Sequence, residues 1–377
     1  MKREQGIFKV KAGGRVLLGA IVLTAFLAMT GVSFAGDPAN QDASGRDNAN
    51  AATATQKANP DQMMLAQGGG QNGGTDLLPN RVVASAKEAT LPSNREQSTG
   101  GKVFSPFIDF GAKYDAWLAM VHRTHEEEQP DWMTPIVTVT PTLQQEIRTD
   151  FSLSSYKGHG TDTYFSKGLE IIPTENTEII FGNPTWVDKE MLNGKQASGW
   201  SDWFTTFKYR LLSSPSDAGN YILTFEFSAS FGTGSPFITA GHDVVTPMLA
   251  FGKGLKTSIG EFDYQATIGP SIPTSQYSVG TVLTWNNAFQ YGNRFNIAGH
   301  TVPLWPEFEV TWIDFLSGVN SGQQQVYLTP GVNVGRFQLD QHTYIVVGAG
   351  YQVAATSDRG PAIGDHQWLV TMRIPYF

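Results

Sequence analysis

Three features of this sequence predict an all-β fold, a transmembrane antiparallel β-barrel of about twelve strands. Apolar and polar residues alternate with period two from about Pro135 to the C-terminus. The alternating runs are long, many reaching the roughly 9 to 11 residues that a tilted strand needs to cross a bilayer, where sandwich strands run to about 5 or 6. The connections between them are alternately short and long, as in barrels with tight turns at one end and loops at the other.

The chain opens with a basic stretch (Lys2, Arg3, Lys9, Lys11, Arg15), an apolar run from Val16 to Met29, and a close in Ser33-Phe34-Ala35. This order is that of a secretory signal peptide over residues 1–35, cleaved after Ala35. The apolar run is too short for the roughly 20 residues of a spanning helix. Residues 36–103 are rich in Ala, Asn, Gln, Gly, Asp and Ser, with Gln67 to Gly74 at their centre, and have too few apolar groups to offset the entropy of ordering. They are expected to form a disordered leader in the periplasm. In residues 104–134, Phe107, Phe110, Tyr114, Trp117, Leu118 and Val121 suit a short amphipathic helix that plugs or abuts the barrel.

The barrel is assigned to residues 135–377. Its strands are expected near 138–156, 163–173, 177–187, 203–212, 220–231, 246–257, 261–272, 279–291, 302–316, 323–337, 341–354 and 365–377. The clearest alternation sets Tyr221, Leu223, Phe225, Phe227, Ala229 and Phe231 against Asn220, Thr224, Glu226, Ser228 and Ser230. Pro173–Thr177, Ser213–Gly219 and Ser258–Gly260 read as short periplasmic turns, and Val187–Ser201, Gly232–Val245 and Ala354–Gly364 as long outer loops. Gly292–Val302 departs from the pattern, being long where a short turn belongs.

Side chains on the polar face of each strand are expected to line the lumen: Glu146, Arg148 and Asp150 on the first strand, then Lys208, Arg210, Glu226, Glu261, Asp263 and Arg373, with Glu307 and Glu309 on the same face. A basic residue turned to lipid at mid-bilayer costs about 2 to 4 kcal/mol, so charges of both signs belong inside. They either line a path for solute or neutralise one another in a filled barrel. Trp186, Trp200, Trp203, Tyr291, Trp368 and Tyr376 fall near strand ends, where interfacial aromatic girdles lie.

The last strand ends in Tyr376-Phe377, similar to the C-terminal signal that outer-membrane barrels present to their assembly machinery. Its apolar set, Trp368, Val370, Met372, Ile374 and Tyr376, is one register away from the usual arrangement, and a bulge at Pro375 would restore it. The stretch from Gly168-Leu169-Glu170 through Phe181, the strand from Trp203 to Arg210, the Ser-Pro-Ser-Asp-Ala-Gly turn at 214–219 and the aromatic strand after it resemble the bacterial outer-membrane barrel family described as "putative meta-pathway of phenol degradation". The resemblance covers roughly residues 135–377. It implies a transporter-like barrel, implies aromatic or apolar solutes, and carries no catalytic residues.

Other functions are disfavoured by composition. There is no cysteine, hence no disulfide, thiolate metal site or thiol nucleophile. Without residues 1–35 the chain keeps 21 Lys and Arg against 33 Asp and Glu, too acidic for a nucleic-acid partner. His122 and His125, followed by Glu126 to Glu128, lack a third placed metal ligand and read as a solvated turn before Pro130. There is no Gly-x-Ser-x-Gly elbow or phosphate-binding glycine loop. The expectation is a non-enzymatic channel in the outer membrane, without metal or cofactor, whose partners are lipid, the assembly machinery and small solutes. A closed structural or surface-interaction barrel is the first alternative, and a lipid-modifying enzyme the second.

Overall fold

A computed structural model of the chain describes residues 106–376 apart from 157–158, 192–193, 240, 276–279, 298–299, 341 and 358–363. The signal peptide, its cleavage site at Ala35, the leader and Phe377 lie outside the described residues. The chain begins with α1 (Pro106–Glu126). Residues 127–145 follow without regular structure, and then come the strands β1 (Glu146–Tyr156), β2 (His159–Thr174), β3 (Thr177–Gly182), β4 (Trp186–Glu190), β5 (Gln196–Trp200), β6 (Trp203–Ser214) and β7 (Tyr221–Phe231). The sheet continues through β8 (Val244–Lys256), β9 (Glu261–Pro273), β10 (Val282–Ile297), β11 (His300–Phe315), β12 (Gln324–Gln338), β13 (Tyr344–Ser357) and β14 (His366–Pro375).

All neighbours pair antiparallel, and β1 pairs with both β2 and β14, so the sheet closes on itself. β3 and β4 share one wall position, pairing with the two halves of β2, and β5 leads into β6 in the same way. Twelve wall positions result. Closure through β1 pairs the first strand with the last, as a strand structure without water to hydrogen-bond its backbone requires, while β5 pairs with β4 alone.

Alternation decides which side chains face in. On β7 the outward residues include Tyr221, Phe225 and Phe227, while Ile222, Thr224, Glu226 and Ser228 are buried inside. Outward aromatics meet across strands, Tyr351 with Trp368 at 4.6 Å and Phe262 with Tyr291 at 4.7 Å between ring centroids, in the cross-strand contacts that stabilise a sheet. Among the described residues the buried set holds more polar and charged side chains than apolar ones. The molecule is therefore polar inside and apolar outside.

Four expectations need correction. The first wall strand starts at Glu146, and residues 135–145 lie inside the barrel instead of in its wall. Strand burial alternates, whereas all of residues 132–145 except Val137 and Val139 are buried, so this segment is surrounded on every side. The long turn expected at Gly292–Val302 is mostly strand, because β10 runs to Ile297 and β11 begins at His300, which restores a short connection. The bulge expected at Pro375 is absent: β1 and β14 pair without a break from Glu146↔Pro375 to Ser155↔His366. Pro375 is tolerated there as the final residue of its strand. Finally, the His122–Glu128 run is only partly a solvated turn, since His122 to Glu126 form the last turn of α1 with Thr124 and His125 buried, while His122, Arg123 and Glu127 are exposed.

Candidate functional site

The site is the lumen, and its main feature is the segment from Gln129 to Gln145 that fills one end of it. Pro130, Pro135 and Pro141 interrupt this stretch, removing backbone donors and disfavouring helix in the residues before them. A segment without ladder partners must satisfy its backbone groups elsewhere. Here inward side chains of the wall do so. The Glu309 carboxylate accepts N–H groups from Val137 (2.8 Å) and Thr138 (2.6 Å), and Glu307 accepts that of Ile136 (3.1 Å). Glu307 is held in turn by Gln290 (2.6 Å) and Asn333 (2.8 Å).

Cations take the carbonyls. Arg373 donates to Thr134 O and Pro135 O, Arg148 donates to Ile136 O at 2.8 Å, and Lys208 reaches Thr140 O and Thr142 O. Gln265 bonds Met133 O and accepts from the Thr140 hydroxyl, and Glu178 accepts Gln144 N at 2.6 Å. Hydrogen bonds to ionised groups are worth about 1.5 to 3 kcal/mol each. The plug is thus clamped by its main chain. Trp132 anchors it, buried against β8, where a Cβ on Gly252 would stand 2.4 Å from the indole.

At the mouth, α1 docks through Val121 on Leu143 and Ile172, and the Trp117 indole donates to Ile172 O at 2.8 Å. Glu128 bridges Arg123 (2.9 Å) and Arg210 (2.8 Å), and Arg336 pairs with Asp131. Burial acts to raise the Glu128 carboxyl, but the hydrogen bonds from Arg210 and Arg123 outweigh it and hold the group below the usual range. His125 is pushed down to about 4, chiefly by burial. A charged imidazole is disfavoured there.

The residues singled out from the sequence fall into three groups. Glu146, Arg148, Asp150, Lys208, Glu226 and Arg373 gather in the buried centre, where Arg148 pairs with Asp150 (2.9 Å) and Lys208 with Glu178 (3.1 Å). Asp263 is buried farther round, bonded by Gln265 at 2.9 Å. Arg210 and Glu261 sit at the mouth, Glu261 accepting from Asn220 at 2.9 Å. Sequence reasoning missed Glu178, Glu170 and Lys167 as interior groups, although Glu170 and Glu178 alternate with apolar neighbours. Trp368 faces outward on β14, and the Tyr376 N–H bonds Gln145 O at 3.0 Å, tying the last strand to the end of the plug.

Beyond the plug lies a cavity of about 150 Å³, bounded by Val137, Val139 and Thr140 of the plug and by inward residues of the wall. Hydroxyls (Thr206, Ser228), apolar groups (Val244, Met248, Val282, Phe315) and charged side chains (Arg148, Lys167, Lys208, Glu170, Glu226) share its lining. At this level the β8–β9 pairing lapses. It runs Val244↔Pro273 and Val245↔Ile272, then resumes at Leu249↔Ile268. Pro247 and Pro270 stand in the gap and have no N–H to give. The strands still approach closely, since a Cβ on Gly269 would meet Pro247 O at 2.3 Å.

No protein-family model and no curated protein sequence matches this chain. Among solved structures it is similar to the beta domain of the Bordetella autotransporter BrkA (12% identity over 61% of this chain and 97% of that one, TM-score 0.39). It is similar also to the COG4313 outer membrane channel from Pseudomonas putida F1 (12% identity, 61% and 94%, TM-score 0.38) and to the translocator domain of the autotransporter NalP from Neisseria meningitidis (11%, 62% and 86%, TM-score 0.31). Likenesses this remote say nothing of solute or partner.

Proposed function

We propose that this chain is an outer-membrane β-barrel, with its leader on the periplasmic side, that passes small apolar or aromatic solutes without transforming them and is closed at rest by residues 127–145. A closed ring with an apolar exterior and charged interior suits lipid as its solvent, where inward charges escape the cost of facing hydrocarbon. The observation that carries the reading is that the lumen is closed by a segment outside the wall, with a solute-sized cavity directly behind it. Because side chains and not ladder bonds hold the plug, it can shift while the wall stays paired. The apolar groups Val244, Met248, Val282 and Phe315 in the cavity lining suit apolar cargo.

Single-channel recording of refolded protein in planar bilayers, across a panel of aromatic acids and sugars, tests this. The expected result is a small conductance interrupted by aromatic solutes and enlarged when Glu309→Ala loosens the plug. Silent bilayers with both proteins would overturn the reading in favour of a closed structural barrel. Labelling by a serine-reactive probe would favour an enzyme instead.

A further inference from the structure

β2 changes phase in mid-strand, and the change delivers a charge to the cavity. In its first half Thr161 and Thr163 stand opposite the inward Lys189 and Val187, whereas in its second half Gly168, Glu170 and Ile172 are the buried positions. The switch is a bulge: Tyr164 and Phe165 have no place in a register that runs Asp150↔Ser166 and then Ser152↔Thr163. Phe165 and Lys167 take φ of 63° and 85°, a left-handed backbone that residues other than glycine rarely adopt. Phe165 is exposed on the outer face, and Lys167 lines the cavity. Backbone strain of this kind persists only where the surrounding structure holds it in place.

Among the described residues the Lys167 amine makes no hydrogen bond or ion pair, and the same holds for the carboxylates of Glu170 and Glu226 in the same lining. The other charges there are taken. Lys208, across from Glu226, holds Glu178 and the plug carbonyls, and Arg148 holds Asp150 and Ile136 O. Lys167 is within electrostatic reach of Glu170 and of Glu226, yet no ion pair joins it to either. The side from β8 to β11 differs. Its polar groups bond one another, Thr246 with Ser271 at 2.8 Å, Asn286 with Thr267 at 3.2 Å and Thr311 with Asn286 at 2.8 Å, and Met248, Val282 and Phe315 stand among them. A simple amine in this cavity meets repulsion from Lys167, and a simple carboxylate meets it from Glu170 and Glu226. A ligand that carries both charges answers each.

We infer that the cavity binds a small apolar amino acid as its zwitterion, the carboxylate on Lys167, the ammonium on Glu226 and Glu170, and the side chain against Met248, Val282 and Phe315. An ammonium has three N–H donors and can bridge two carboxylates, and the contacts at both ends are charge-assisted hydrogen bonds. A cavity of about 150 Å³ is of the size that holds benzene, which limits the side chain to a compact apolar group such as that of leucine. This names a solute class for the cavity on the proposed path and rests on that reading, but its test does not depend on conduction.

The test is calorimetric titration of the refolded full chain in detergent, at neutral pH, with leucine, with isocaproate, which lacks the ammonium, and with isoamylamine, which lacks the carboxylate. Leucine is expected to bind roughly tenfold or more tightly than either single-charge probe. Lys167→Met should remove its advantage over isoamylamine and leave that over isocaproate. Glu226→Gln should do the reverse, and Met248→Trp, which fills the cavity, should abolish binding of all three. Heat-modifiable gel migration verifies that each variant is folded; if one charge variant fails it, the other and Met248→Trp decide. Leucine binding no tighter than a single-charge probe, advantages unchanged in the folded charge variants, or no binding of any probe would overturn the inference. Leucine binding in a protein that conducts nothing would instead defeat the transport reading and leave the site standing, whereas conduction without leucine binding would defeat the inference alone.

Discussion

Replacing Glu309 by alanine should free the plug and leave the barrel intact. Glu309 is fully buried and accepts two N–H groups, from Val137 and Thr138, at 2.8 and 2.6 Å. Truncation leaves both donors unsatisfied inside the lumen, at about 1 to 3 kcal/mol each. Taking about 3 kcal/mol in total, the ratio of docked to undocked plug falls by roughly a hundredfold. The wall should hardly notice, because the backbone of Glu309 keeps its ladder places opposite Ala288 and Thr329. The chain has no cysteine, so Val137→Cys introduces a single thiol on the plug. Maleimide labelling of that thiol in folded protein reads the undocked fraction, and heat-modifiable migration reports the wall. The labelling rate should rise by tens of fold in Glu309→Ala. A rate within about twofold of the parent, with the wall folded, would refute the view that wall carboxylates hold the plug.

Phe225 faces outward, so Phe225→Arg should cost about 2 to 4 kcal/mol in urea unfolding from lipid vesicles, whereas Ser230→Arg on the inner face of the same strand should cost less; equal losses would point to a soluble two-sheet core. His125, held down to about 4 against an ordinary 6.5, stays neutral when docked, so its contribution is complete above about pH 6.5 and lost as pH falls toward 4. At about 1.4 kcal/mol per pH unit this comes to about 3.5 kcal/mol, and Val137→Cys labelling should accelerate over that window in the parent but far less in His125→Gln. Deleting Phe377 should lower the folded outer-membrane pool in fractionated cells and leave precursor or degraded protein in the periplasm, and normal assembly of the deletion would count against a C-terminal assembly signal.

The wall was legible because inside and outside are local properties of a strand. Successive residues point to opposite faces, so Phe225 and Glu226 declare their sides from the run they stand in, and Lys208, Arg210 and Arg373 sort themselves the same way. The same rule misread Val137-Thr138-Val139-Thr140, which alternates like a strand and is not one. Whether such a run joins the wall depends on finding ladder partners, and these residues find the carboxylate of Glu309 instead, about 170 positions away in sequence. Pro130, Pro135 and Pro141 were the available warning. Closing the ring of strands brings those groups together. Periodicity separates the outer face from the lumen, while the contents of the lumen follow from contacts between residues far apart in the chain.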